Sequence, residues 1–342
     1  MNLYKSLIFI LYLGIFLGSG FRTPAQSRDS ITLYGTLDTV QVIRQRIQHA
    51  NEANAGARVT HISPAILQAN KTRSLAELLT DHTSIYIKSL GTGALSTASF
   101  RGTSASQTRV NWNGINITPP LSGTFDFSQI PVFFTDNINL YYGSSHVKNG
   151  TGAIGGSVNL FTDTDWNRGV NGRVLAEYGS YNTYTVGGQA NISGNKSASK
   201  TRLYYQHSDN DYTYLNKVLT NIPFREKRQD AAYSQFGIMQ EGYFRVSPYT
   251  RLTAVAWYQK NHRNLPQPLG VVNRSQEDQE ENNFRGYAGL DFSRGIHELH
   301  VKAAWLYFCQ TYDIRYDGGL FDPKGNKNRS NTAQVVADYT YS

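Results

Sequence analysis

The 342-residue chain predicts a transmembrane antiparallel β-barrel, present to about eight strands, with a small N-terminal α+β plug domain ahead of it. Three observations carry this expectation. The chain opens on an export signal. A glycine-rich region follows and closes at Gly150-Thr151-Gly152-Ala153-Ile154-Gly155-Gly156-Ser157-Val158-Asn159-Leu160. Beyond Asp165 helix signals vanish, and short runs of alternating polarity take over. The expected boundaries are a signal over 1–25, a lead and linker over 26–57, the plug over 58–163 and the barrel strands over 164–342.

Lys5 precedes an apolar run from Leu7 to Leu17, and small residues lead to Thr23-Pro24-Ala25. This is the layout of a cleavable secretory signal cut after Ala25. The run is too short for a permanent membrane helix, which needs about 20 residues. Cys309 is the only cysteine, so no intramolecular disulfide or cysteine metal cluster can form, and no cysteine near the signal's end could carry lipid.

Composition fits an envelope protein: 23 Tyr and 16 Phe stand in a chain only 39% hydrophobic, with a mean hydropathy of −0.45. Barrel strands can look this polar because only alternate residues meet lipid. The formal charge of +8 drops by two when Lys5 and Arg22 leave with the signal. Such an excess suits anionic lipid heads or an anionic ligand, and with no basic helix or aromatic-basic groove it does not point to nucleic acid.

Within the lead, Val40 and Val42 alternate with Thr39 and Gln41. The segment Leu37-Asp38-Thr39-Val40-Gln41-Val42 could add as a strand to a partner's sheet edge or be an ordinary first strand. From Arg58 the pattern is mixed: a strand to Ile62, a helix entered at Pro64, and a second helix opened by the capping box Ser74-Leu75-Ala76-Glu77 and carrying Leu75, Leu78 and Leu79. Strands are expected at Ser84 to Ser89, Thr108 to Trp112, Asn137 to Tyr141 and Ser157 to Phe161. Two loops rich in small residues, Ser89 to Ser99 and Asn116 to Thr124, offer adaptable contact surfaces.

The barrel strands are expected at Arg173 to Tyr178, Thr183 to Ile192, Thr201 to His207, Phe236 to Val246, Arg251 to Gln259, Arg285 to Ser293, Leu299 to Tyr307 and Ala333 to Tyr341. Thr183 to Ile192 is the clearest, with Tyr184, Val186, Gly188, Ala190 and Ile192 on one face. Aromatics near strand ends match interfacial girdles, and long links (Asp209 to Asp230, Pro266 to Asn282) alternate with tight ones. A soluble β-sandwich also yields short alternating strands; the tyrosines and the export signal favour the barrel. Eight strands would be filled by their own side chains, whereas barrels that hold a plug have about 22, so the chain is expected to hold only part of its barrel.

The order of these parts resembles a TonB-dependent outer-membrane receptor. Leu37 to Val42 is similar to the family's coupling box, with Asp38, Thr39, Val40, Gln41 and Val42 as its core. Phe100-Arg101-Gly102 resembles its arginine-glycine motif. Asn113-Gly114-Ile115 stands where the family has Asp-Gly-Val, Phe127-Ser128-Gln129-Ile130-Pro131 resembles its Leu-Ser-x-Ile-Pro turn, and Ala153 to Leu160, with Gly155, Gly156 and Asn159, resembles the plug's end. Thr83-Ser84-Ile85, Tyr142 and Asn149 depart from the pattern and suggest a divergent branch. The resemblance implies a Gram-negative outer-membrane receptor that takes a scarce ligand, hands its box to TonB as an added strand, and needs no nucleotide site. The plug, especially Gly123 to Pro131, looks most like the vitamin B12 (cobalamin) receptor branch, with ferric siderophore or haem receptors as the alternative. A non-transporting adhesin or phage-receptor barrel is the alternative of another class. The layout implies ligand contacts from Gly91, Thr92, Gly93, Leu95 and Ser96, and from Pro119, Pro120, Leu121, Ser122 and Thr124, with Tyr212 and Tyr214 added by barrel loops.

Other chemistries fit less well. Gly150 to Gly155 spells a dinucleotide pattern but leads into a strand, where that fingerprint needs a helix. His297 and His300 lie three apart on a strand and so face opposite ways, and the other histidines are scattered. No nucleophile elbow or catalytic carboxylate pair is present, so no enzyme and no resident cofactor or metal is expected. Calcium bound by Asp209 and Asp211, or by the acids from Glu277 to Glu281, is a minor expectation.

Overall fold

The computed structural model describes residues 58–143, 153–218, 223–269, 275–316 and 324–341. The signal, the Asp38–Val42 box and residues 150–152 lie outside the described residues.

The plug begins with β1 (Arg58–His61), α1 (Pro64–Ala69) and α2 (Leu75–His82). Ser63 caps α1, its hydroxyl accepting from the Ile66 N–H at 3.3 Å. The Ser74–Glu77 box closes reciprocally, with the Ser74 N–H donating to Glu77 Oε2 at 2.8 Å and the Glu77 N–H to Ser74 Oγ at 3.3 Å. Two orphan donors are thereby satisfied, and α2 buries Leu75, Leu78 and Leu79. A small hairpin of β2 (Tyr86–Ser89) and β3 (Ser96–Ser99) follows, then β4 (Thr108–Trp112), β5 (Ile115–Asn116), β6 (Asn137–Tyr142) and β7 (Gly156–Phe161). These last four join β1 in one sheet of order β1-β6-β7-β4-β5, in which only β4 and β7 run parallel. Val110, Trp112, Ile138, Leu140, Val158 and Leu160 bury its apolar face against the helices and Phe100.

Two differences from the expectation concern the plug loops. Ser96–Ser99, read as loop, is a strand, because a run of Ser, Thr and Ala carries no apolar alternation and is ordered only by pairing with β2. Likewise Ile115–Asn116 closes a tight turn onto β4.

Beyond the plug run β8 (Gly169–Gly179), β9 (Thr183–Ser193), β10 (Ser197–Ser208), β11 (Thr213–Asn216), β12 (Phe224–Lys227), β13 (Tyr233–Ser247), β14 (Thr250–Asn264), β15 (Ser275–Arg294), β16 (His297–Tyr316) and β17 (Lys324–Tyr341). Eight of them form one antiparallel meander, β8-β9-β10-β13-β14-β15-β16-β17, and each contains one of the eight expected runs. The β11–β12 hairpin lies in the link read as loop from Asp209 to Asp230. The acids Glu277 to Glu281, also read as a solvated loop, are part of β15 and pair along β14 and β16. β15 and β16 have 20 residues each, about twice the 9–11 that cross a bilayer, so their polar halves project beyond it.

The sheet is inside-out. Apolar residues point away from the plug, with Val174 83%, Ile192 59% and Trp305 52% exposed, while Lys200, Arg202, Gln235, Glu241, Gln259, Asn261 and Arg285 are buried. A soluble sandwich would bury the apolar rows; a lipid-facing exterior around a polar interior is the barrel arrangement. No helix among the described residues is long and apolar enough to cross a membrane. The links 194–196, 248–249 and 295–296, of two or three residues each, collect at one end; at the other, beside the three-residue link 180–182, starts the long connection from β10 to β13 that carries β11 and β12. By the usual asymmetry the first is the periplasmic end and the second the outward one.

Candidate functional site

The plug is seated on the inner wall of β10, β13 and β14. Its corner Val132–Asp136 follows a 3₁₀ turn at Val132–Phe134 and is gripped from both sides. Lys200 Nζ lies 3.0 Å from Asp136 Oδ2, and Arg202, fully buried, bonds the same oxygen and donates to the Phe133 carbonyl at 3.2 Å. Lys200 also donates to the Asp163 carbonyl. From the plug, Lys71 donates to the carbonyls of Thr135 at 2.5 Å and Val132 at 3.4 Å. Behind Arg202, Glu241 stands 3.5 Å away and accepts from the Tyr243 hydroxyl at 2.9 Å. Burial alone would raise the Asp136 carboxyl, but Arg202, Lys200 and Lys71 outweigh it and hold it well below the usual range. Burial pushes the Lys71 ammonium down to about 8, against the pull of Asp136.

Beside this cluster stands an aromatic wedge. Phe134 and Trp112 each lie 5.3 Å from Trp257, and Phe133 lies 5.7 Å from Tyr204. Such offset and tilted pairs add about 0.5–1.5 kcal/mol each beyond their buried area. Further toward the outward end, Gln259 and Asn261 bond Gln129 at 3.0 and 3.2 Å, and Gln235 donates to the Ser128 carbonyl at 2.9 Å.

Asp126 joins the expected ligand loops to the wall. Its Oδ1 accepts from the N–H groups of Ser96 at 3.0 Å and Ser128 at 3.1 Å, while Oδ2 pairs with Arg263 of β14 at 2.7 Å. Gly91, Thr92, Gly93, Leu95 and Ser96 therefore sit at the outward end, with Gly91 exposed and Ser96 buried. The Thr92 carbonyl accepts from Asn210 at 3.0 Å, and a Cβ on Gly93 would overlap the Tyr233 ring. Leu121 is 57% exposed among Pro119, Pro120, Ser122 and Thr124, the Ser122 hydroxyl donating to the Thr124 carbonyl at 2.9 Å. A cleft of about 190 Å³ separates Gly91–Gly93 and α2 from the wall and is edged by Arg73, Glu77, Gln206 and Tyr233. Tyr212 and Tyr214 lie in and beside the β11–β12 hairpin, their rings 6.4 Å apart.

The remaining motif residues have architectural roles. Arg101-Gly102 and Asn113-Gly114 form turns. Asn113 bonds Thr162 twice, at 2.9 and 3.0 Å, and Asn159 accepts from Asn111 at 2.9 Å. Gly155 packs on Thr103, and a Cβ on Gly156 would lie 2.5 Å from the Tyr141 carbonyl oxygen. His297 and His300 take different partners, Tyr339 at 2.8 Å and Asp291 at 2.6 Å. Asp211 pairs with Lys227 at 2.7 Å, and no three His, Cys, Asp or Glu side chains converge among the described residues.

Sequence reasoning missed Asp136, Lys200, Arg202 and Glu241. A signal was there: Lys200 and Arg202 occupy the row opposite Leu203 and Tyr205, and a charge in the inner row of a membrane strand demands a partner.

Residues 51–157 match the model of the TonB-dependent Receptor Plug Domain. The chain is 32% identical over 135 residues to the vitamin B12 transporter BtuB of Photobacterium profundum, covering 40% of this chain and 22% of that protein. It is 32% identical over 126 residues to that of Vibrio cholerae, covering 36% and 20%. The chain thus matches about a fifth of the length of these curated relatives. Among solved structures it superposes on the siderophore receptor PiuA of Acinetobacter baumannii (TM-score 0.63, 17% identity, 83% of this chain and 42% of that one). It also superposes on the ferric-catecholate import receptor Fiu of E. coli K12 (TM-score 0.64, 12% identity, 84% and 47%). At these identities the superpositions establish the fold. Plug, inside-out sheet and sequence matches agree: the chain carries the plug and eight barrel strands of a TonB-dependent receptor of the Gram-negative outer membrane, related to the vitamin B12 transporters.

Proposed function

We propose that the protein captures cobalamin at its outward loops and imports it into the periplasm with energy delivered through Asp38–Val42 to TonB. The observation that carries the ligand class is charge. Gly91 to Ser96 and Pro119 to Thr124 contain no ionisable side chain, offering backbone amides, hydroxyls, Leu95 and Leu121. Such a surface suits a large neutral ligand rimmed with amides; an anionic ferric chelate calls for Arg or Lys. The 32% identity to vitamin B12 transporters supports the same reading. Asp126 supplies a route inward, since ligand pressure on either loop bears on a carboxylate bonded to Ser96, Ser128 and Arg263.

The test is binding of cyanocobalamin against ferric enterobactin by the receptor in detergent, for wild type, Leu121→Asp and Thr124→Asp. Wild type should bind cobalamin saturably. Each aspartate should weaken it at least about tenfold, because an unpaired carboxylate would be desolvated against a neutral ligand. Unchanged affinity in both variants would remove the loops from the site, and cobalamin silence with enterobactin binding would replace the ligand.

A further inference from the structure

The lipid-facing rows end, on the periplasmic side, in polar groups. On β15 the row runs Leu290, Phe292, Arg294; on β16 it runs Trp305, Ala303, Val301, Leu299, His297, and Arg294 pairs with His297. Trp305 and His297 are separated by about 26 Å along the strand, less after tilting, which suits a lipid-facing band about 25 Å tall. Arg294 and His297 therefore stand at the level of the inner headgroups. The site is built around them. The Arg294 guanidinium lies 5.3 Å from the centre of the Tyr249 ring, and the Ser293 N–H donates to the Tyr249 carbonyl at 2.9 Å, which locks the two periplasmic turns side by side. His297 stacks on Tyr339, with Nδ1 2.8 Å from its hydroxyl.

Three other cations of this rim are engaged: Arg251 with Asp291 at 2.7 Å, Arg168 with Asp165 at 3.2 Å, and Arg245 with the Asn195 carbonyl at 3.3 Å. Arg294, exposed, has no hydrogen-bond acceptor among the described residues. A guanidinium laid on an aromatic face keeps its N–H edge free for a phosphate.

We propose that Arg294 and His297, framed by Tyr249 and Tyr339, bind the phosphate of an anionic glycerophospholipid of the periplasmic leaflet, whose acyl chains lie along Phe292, Leu290 and Leu299. Continuity with the apolar rows selects a lipid over a soluble anion. The test is retention of phosphatidylglycerol against phosphatidylcholine by the detergent-purified receptor, read by native mass spectrometry. Wild type should retain phosphatidylglycerol preferentially. Arg294→Gln should lower that retention about fivefold, the worth of one interfacial cation, and Arg294→Lys by less. Arg315→Gln, at the outward end beside Asp278, should leave it unchanged. Equal retention of the two lipids by wild type, or retention by Arg294→Gln equal to wild type, would overturn the site, as would an equal loss in Arg315→Gln.

Discussion

Asp136 concentrates the logic of the seat at one residue. It is a plug carboxylate held by two barrel cations and faced by a third cation of its own domain. Replacing it by Asn leaves Lys200 and Arg202 buried without a counter-charge at that end, and removing one partner of a buried pair costs about 3 kcal/mol. Asp136→Asn should lower the urea midpoint of the detergent-solubilised receptor accordingly; a midpoint equal to wild type would show that the cluster is solvated and the grip lies elsewhere. Lys71 gives this corner its pH dependence. Its ammonium is depressed to about 8 from an unfolded value near 10.4, so between these the unfolded chain binds more protons and stability rises with pH. The fold carries the cost of a buried charge below that window and sheds it within it. Unfolding midpoints measured from pH 7.5 to 10.5 should climb in wild type and flatten in Lys71→Met; parallel curves would exclude Lys71 as the source.

At the scale of elements, the chain's alternation was legible because a barrel strand keeps a two-residue period whichever face is apolar. All eight long strands follow from it, and Ser74–Glu77 and Pro64 located the plug helices through capping chemistry. What stayed hidden is what period cannot encode. Ser96–Ser99 and Ile115–Asn116 are strands only because a neighbour pairs with them, and Glu277–Glu281 resembles loop because β15 continues into water. The seat was hidden for a related reason: Lys200 and Arg202 show their inward direction in sequence, but Asp136 meets them only after the plug folds. The exposed rows make a prediction specific to the element. Val301 lies on the lipid-facing row of β16, midway between Trp305 and His297. Val301→Arg should cost about 2–4 kcal/mol near mid-bilayer when refolding into phospholipid vesicles is measured. Leu299→Arg, nearer the periplasmic interface on the same row, should cost less. Equal costs would mean that this row does not cross the hydrocarbon.

For the whole molecule, the seat shows how the movable plug that the proposed function requires can also be secure. The wall meets it through Lys200, Arg202, Gln235, Gln259, Asn261 and Arg263, polar groups that water can satisfy in turn, with the aromatic wedge around Trp257 as its main apolar contact. A dry interface would have to be broken at once; this one can be exchanged bond by bond when the plug is pulled. Under the proposed function, ligand capture and plug movement should therefore separate experimentally. Val40→Pro removes a backbone donor that strand addition to TonB requires, while every bond of the seat and every outward loop is untouched. Cobalamin uptake by cells expressing the variant should fall to background, and binding by the purified receptor should stay at the wild-type level. Uptake that persists would mean that the segment at 38–42 does not couple the receptor to TonB, and loss of both would place Val40 in the fold rather than in the coupling.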